Sequence, residues 1–130
     1  MSITRLNPDS LHKNPAFTQV VTVSNPKTLV YVGGQNGVNV KGEVVGSDIA
    51  SQSRQAYKNV LAALEAADAS IKDVFKMTIY LVQGQSVQEA FAAIQDLQDR
   101  SAPPPTVSVI SVVGLANPQF LIEIEAVAAI

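Results

Sequence analysis

Val74-Phe75-Lys76-Met77-Thr78-Ile79-Tyr80-Leu81-Val82 is the stretch on which the fold turns. Phe75, Met77, Ile79 and Leu81 alternate with Lys76, Thr78 and Tyr80, the period of two of a strand with one apolar face. Helical patterns flank it on both sides. Upstream, Tyr57, Val60, Leu61 and Leu64 recur at helical spacing, and Ala62, Ala63 and Ala66 raise helix propensity. Ser47 or Asp48 can cap that helix, which runs to about Ala67. Downstream, Ser86 opens a second helix, with Glu89 completing a capping box. Its apolar face is Ala90, Phe91, Ile94 and Leu97, and it ends near Arg100. Ala102-Pro103-Pro104-Pro105 cannot continue a helix.

Farther out the pattern is all strand. Thr106 to Val113 is β-branched, Gly114 to Pro118 turns the chain, and Phe120 to Ala128 is the last strand. Before the first helix, Phe17 to Val23 and Thr28 to Val32 read as two strands joined into a hairpin by Ser24-Asn25-Pro26-Lys27. Gly33-Gly34 breaks or bulges the second of these, and a short strand is expected near Glu43 to Val45. Residues 1–16 read as a lead-in without regular structure. The order predicts one α+β domain over residues 1–130, a mixed sheet with two helices on one face.

Composition limits the function classes. Hydrophobic residues make up 47% of the 130 and charged residues 15%, against a usual charged share of about 25%. That excludes a disordered chain, and a net charge of −2 argues against a basic nucleic-acid-binding surface. The bare face of the sheet also carries Val, Ile and Leu, so further copies of the chain are expected to cover it. The absence of cysteine removes disulfides, a thiol nucleophile and thiolate metal sites. No signal-peptide core and no apolar run of about 20 residues is present, so a soluble, cytoplasmic protein with no membrane partner is expected.

Few residues suggest chemistry. His12, the single histidine, lies in a polar stretch without carboxylate neighbours and reads as surface, so no metal site is expected. No G-x-S-x-G elbow, Walker A motif or G-x-G-x-x-G occurs. Glu123 and Glu125 stand at i and i+2 on the last strand, so both face one way while Ile122 and Ile124 face the other. A carboxylate at a strand centre is either solvated, ion-paired or turned to a wet cavity where it can act as acid or base.

Several segments together resemble the Rid family, the reactive intermediate deaminases, also called the YjgF family. They are PAFTQVV (15–21), YVGGQNG (31–37), NVLAALEAADASIKDVFKMTIYLV (59–82), the proline-rich turn with its strand, and LIEIEAVA (121–128). The resemblance implies a chorismate-mutase-like fold. It also implies a homotrimer with sheets packed inward and ligand clefts between subunits. Characterised members hydrolyse enamines and imines to 2-keto acids and ammonia without a cofactor. An arginine after the proline-rich turn clamps the substrate carboxylate, and a glutamate on the last strand positions water. A tyrosine, a helix asparagine and a glycine-rich strand end complete the cleft.

Carried over, the glutamate is Glu123 and the glycine stretch is Gly33-Gly34-Gln35. The tyrosine position is Phe17 and the asparagine falls near Phe91. The arginine is missing: its place falls on Val107 or Pro105, according to the end from which one counts. Arginine offers a permanently charged fork that grips a carboxylate with two bonds. Losing such a pair costs on the order of 2–5 kcal/mol, roughly thirtyfold to several-thousandfold in binding. The expectation is a homotrimer binding a small molecule in a cleft lined by Phe17, Phe91, Val107 and Glu123, with weak or no standard deaminase activity. The alternative is a 2-iminobutanoate/2-iminopropanoate deaminase with a cation from Arg5, Lys13 or Arg100 of a neighbouring subunit. A lesser alternative is an RNA-directed translation inhibitor or endoribonuclease, which the charge balance does not favour.

Overall fold

The structure, a computed structural model, describes residues 1–130. In chain order the elements are β1 (Ser2–Leu6), β2 (Val20–Ser24), β3 (Leu29–Gln35), α1 (Ile49–Ala66), β4 (Val74–Val82), α2 (Val87–Ala92), β5 (Thr106–Val112) and β6 (Ile122–Ala129). A four-stranded sheet runs β3-β6-β4-β5. Only the β4–β5 pair is parallel, and α2 with the proline-rich turn makes the crossover that a parallel pair needs. β1 and β2 form a separate antiparallel ribbon.

Both helices pack on one face of the sheet, as expected. Asp48 caps α1 by accepting from the Ser51 amide at 2.9 Å. That bond holds its carboxyl below the ordinary value. Tyr57, Val60 and Leu64 of α1 and Ala90 and Ile94 of the α2 segment share one buried core with Val74, Met77, Ile79, Ile122 and Ile124. Period-two alternation in β6 follows from this: Ile122, Ile124, Ala126 and Ala128 are buried while Glu123, Glu125 and Val127 are half-exposed on the other face. No helix lies over that second face, where Tyr31 is 74% exposed and Leu29 and Ile110 are open as well.

Several expectations need correction. The hairpin between the strands before and after Asn25 does not form: β2 pairs with β1, and β3 pairs with β6. The chain's C-terminal end takes the strand entry, because Lys27 N and Thr28 N both donate to the Ile130 carbonyl. Residues 1–16 are therefore not all irregular, since Ser2–Leu6 is a strand, and the strand expected from Phe17 begins at Val20. The strand near Glu43 reduces to a single bridge, Val38 with Val44. Phe75 leaves the apolar face: β4 has one extra residue between Val74 and Lys76, so Val74 takes the core position.

The second helix stops at Ala92, well before Arg100, and a 3₁₀ turn follows at Gln95–Leu97. The cause is distant in sequence. Arg54 on α1 donates to the Ala93 carbonyl at 3.2 Å and grips both carboxylate oxygens of Asp96 at 2.6 and 3.0 Å. The Arg54 hydrogen bond pulls the Asp96 carboxyl below its ordinary value. Stability from this pair is present above the ordinary carboxylate range and is lost as pH falls through the lowered value. Asp96→Asn is expected to melt below the wild type at neutral pH. The gap should close on acidification through that value, as read by thermal unfolding at a series of pH values.

Candidate functional site

The helix-covered side of β4 and β5 opens into a cavity of about 800 Å³. Phe17, Phe91, Pro105 and Val107 all line it, with Tyr57 and Met77. Val107 stands beside Met77 in the parallel β4–β5 register and packs on the core. Phe17 reaches the cavity because its neighbour Thr18 is pinned to the proline-rich turn. The Thr18 amide donates to Pro105 O at 2.9 Å and its hydroxyl to Pro104 O at 2.6 Å. His12 is exposed, and its ring meets Phe17 edge-on, with centroids 5.9 Å apart.

Arg100 is the one cation on the cavity wall, and it has no ion-pair partner. Asp99 beside it is occupied by the hydroxyl and amide of Ser101, which hold its carboxyl below the ordinary value. Burial, reinforced by the Asp99 charge, raises the Tyr57 phenol, so it stays protonated in this wall. Arg100, expected as a cation from a neighbouring subunit, lies here on the cavity wall of its own chain, beside Phe91 and Val107.

Glu123 lies elsewhere. It stands opposite Tyr80 in the β4–β6 register, on the face away from the helices, whereas Val107 is opposite Met77 on the covered face. One chain therefore does not bring Glu123 together with Phe17, Phe91 and Val107. The glycine stretch does reach it. β3 carries a bulge at Gly33-Gly34, and a Cβ at Gly34 would lie 2.5 Å from both Cδ and Oε2 of Glu123. The absence of a side chain there lets the carboxylate rest on the strand backbone. Gly33 is open, and the Gln35 amide turns back to Gly33 O at 3.0 Å. Asn36 donates to Glu123 Oε1 at 3.3 Å, a neighbour that the sequence reading missed although it follows the quoted glycine stretch directly.

Glu125 makes a different contact: the Tyr80 hydroxyl donates to its Oε1 at 3.0 Å. Neither glutamate has a Lys or Arg partner. No cluster of three His, Asp or Glu side chains suited to a metal ion occurs, and no helix is long and apolar enough to cross a membrane.

The model of the endoribonuclease L-PSP family matches residues 9–130. The chain belongs to that family, the Rid or YjgF family. A RutC family protein from Pyrococcus horikoshii is 33% identical over 113 residues, covering 86% of this chain and 85% of its own. The 2-iminobutanoate/2-iminopropanoate deaminase of Escherichia coli K12 is 31% identical over the same shares. Among solved structures, the Rid-family protein YyfB of Yersinia pestis superposes with a TM-score of 0.88 at 30% identity, covering all of both chains. The YjgF gene product of Escherichia coli superposes at 0.70 and 32%, covering 88% and 91%. The mixed sheet with its two helices is thus the Rid fold.

The hydrogen bond to Glu125 holds the Tyr80 phenol above its ordinary value, with burial adding to it. Glu125→Gln replaces a charged acceptor by a neutral one, so Tyr80 should ionise at lower pH. An ultraviolet titration reads the change; an unshifted Tyr80 in a folded variant would contradict the bond.

Proposed function

We propose that this Rid-family protein binds a small molecule in clefts completed between copies of the chain, as a homotrimer, and lacks the standard imine and enamine deaminase activity. The observation that carries the reading is the cavity wall. Pro105 and Val107, the two candidates for the family's arginine position, both line it, and neither can bind a carboxylate. Phe17 and Phe91 extend the same apolar surface. Glu123 and Gly34 form a second half-site on the opposite face of the sheet. A cleft holding both halves needs two chains, and the uncovered face with Tyr31 and Leu29 gives such chains a surface to meet on. The ligand that suits these walls has an apolar body and a neutral or cationic N–H group for Glu123 to accept. No cofactor or nucleic acid enters this reading, and a cytoplasmic location fits it.

Light scattering behind size exclusion is expected to give a mass of three chains. In thermal-shift screening, amines and neutral aromatic compounds should stabilise the protein more than 2-keto acids. Ammonia release from enzymatically generated 2-iminobutanoate should stay near the buffer rate. A rate well above buffer, or preferential stabilisation by 2-keto acids, would sink the reading.

Arg100 favours a second reading, a deaminase with a substitute cation. Its guanidinium is unpaired and lies on the same cavity wall as Phe91 and Val107. Under that reading Arg100→Gln abolishes imine hydrolysis and 2-keto acid binding in an intact oligomer, and Val107→Arg does not improve either. Under the first reading Arg100→Gln changes neither quantity.

A further inference from the structure

Asn36 holds Glu123 through a set of bonds that reaches back to α1. The Asn36 Nδ2 group donates to the Ile122 carbonyl at 3.0 Å and to Glu123 Oε1 at 3.3 Å. An amide nitrogen carries two hydrogens, so both are used. The flipped amide would turn Oδ1 toward a carbonyl and a carboxylate, which excludes it. The Asn36 carbonyl in turn accepts from Asn59 Nδ2 at 3.1 Å, and the same Asn59 amide donates to Val38 O at 2.8 Å. Gln55 fixes that amide by donating to Asn59 Oδ1 at 2.9 Å.

The strand register explains why this residue, and not its neighbour, meets the carboxylate. Before the bulge Val32 pairs with Ala126; after it Gln35 pairs with Ile124. Continued by one residue, the shifted register sets Asn36 opposite Glu123. Meanwhile Oε2 of Glu123 accepts from no protein donor and rests against Gly34.

We propose that Asn36 is a positioning residue for Glu123: it commits Oε1 and leaves Oε2, beside Gly34, as the acceptor for an N–H group or water. This deepens the binding reading by naming which oxygen of the half-site faces the ligand, and it rests on that reading only for the ligand. Asn36 also sets the direction of approach, because a carboxylate with one oxygen tied cannot rotate to offer the other lone pairs. Gln55 and Asn59 extend the arrangement to α1, so a change on the helix is transmitted to the carboxylate without touching it.

The test uses the full-length protein, free of ligand, with its five glutamates labelled with ¹³C at the side-chain carboxyl. The Glu123 signal is assigned by its disappearance in Glu123→Gln. In the wild type, nuclear Overhauser contacts from the Asn36 side-chain amide protons to the Glu123 γ-methylene are expected. Asn36→Leu should displace the Glu123 carboxyl signal while those of Glu43, Glu65 and Glu89 stay in place. Gln55→Ala should move it in the same direction by less. A purely structural Asn36, bonded to Ile122 alone, would lower the melting temperature and leave the Glu123 signal unmoved; that result overturns the proposal. Should Asn36→Leu fail to fold, the wild-type spectrum still decides, since missing Overhauser contacts overturn it as well. Because no ligand is present, a protein that binds nothing in the screen would defeat the binding reading and leave this result standing.

Discussion

Antiparallel pairing of β6 between β3 and β4 is the constraint from which the rest follows. A strand with neighbours on both edges must divide its side chains strictly between two faces. In β6 that division sends isoleucines and alanines to the helices and carboxylates to the uncovered side. The core under α1 and the position of Glu123 are therefore one decision. A slip of one residue would bury two carboxylates and expose Ile122 and Ile124 together. The same pairing fixes the distance of Glu123 from the cavity, because β5 continues the sheet beyond β4 and turns Val107 to the helices.

What the sequence revealed and what it concealed divide by range. β4 and α1 were legible because their signals are local: alternation over nine residues, and Asp48 next to the first helical turn. Strand pairing is not local. Nothing near Asn25 says that β3 takes its partner from the end of the chain, so a turn-like tetrapeptide between two apolar runs read as a hairpin. Nor does anything near Ala92 announce that Arg54 will take its helix end. The candidate site shows the same split. The direction of Glu123 could be read from the period of two, and the family resemblance supplied Gly34 beside it. The opposite facing of Val107 needed the β4 register, and the presence of Arg100 in the cavity needed the shortened helix.

Cations are used unequally in this chain. Arg54 is spent on structure: a bidentate carboxylate and a carbonyl tie α1 to the segment after α2. Arg100 has no such obligation. Its guanidinium is exposed at the edge of a largely apolar wall, with no ion-pair partner. The wall is thus apolar where Pro105 and Val107 form it and cationic only at Arg100.

The bulge at Gly33-Gly34 gives the half-site a property that substitutions alone do not have. Because it adds one residue to β3, chain length rather than residue identity chooses which side chain meets Glu123. With the one-residue bulge kept, a single-codon insertion at the glycine pair would set Gln35 opposite Glu123 in the place of Asn36, keeping an amide but lengthening its reach. A deletion under the same condition would bring Gly37 there and remove the donor altogether.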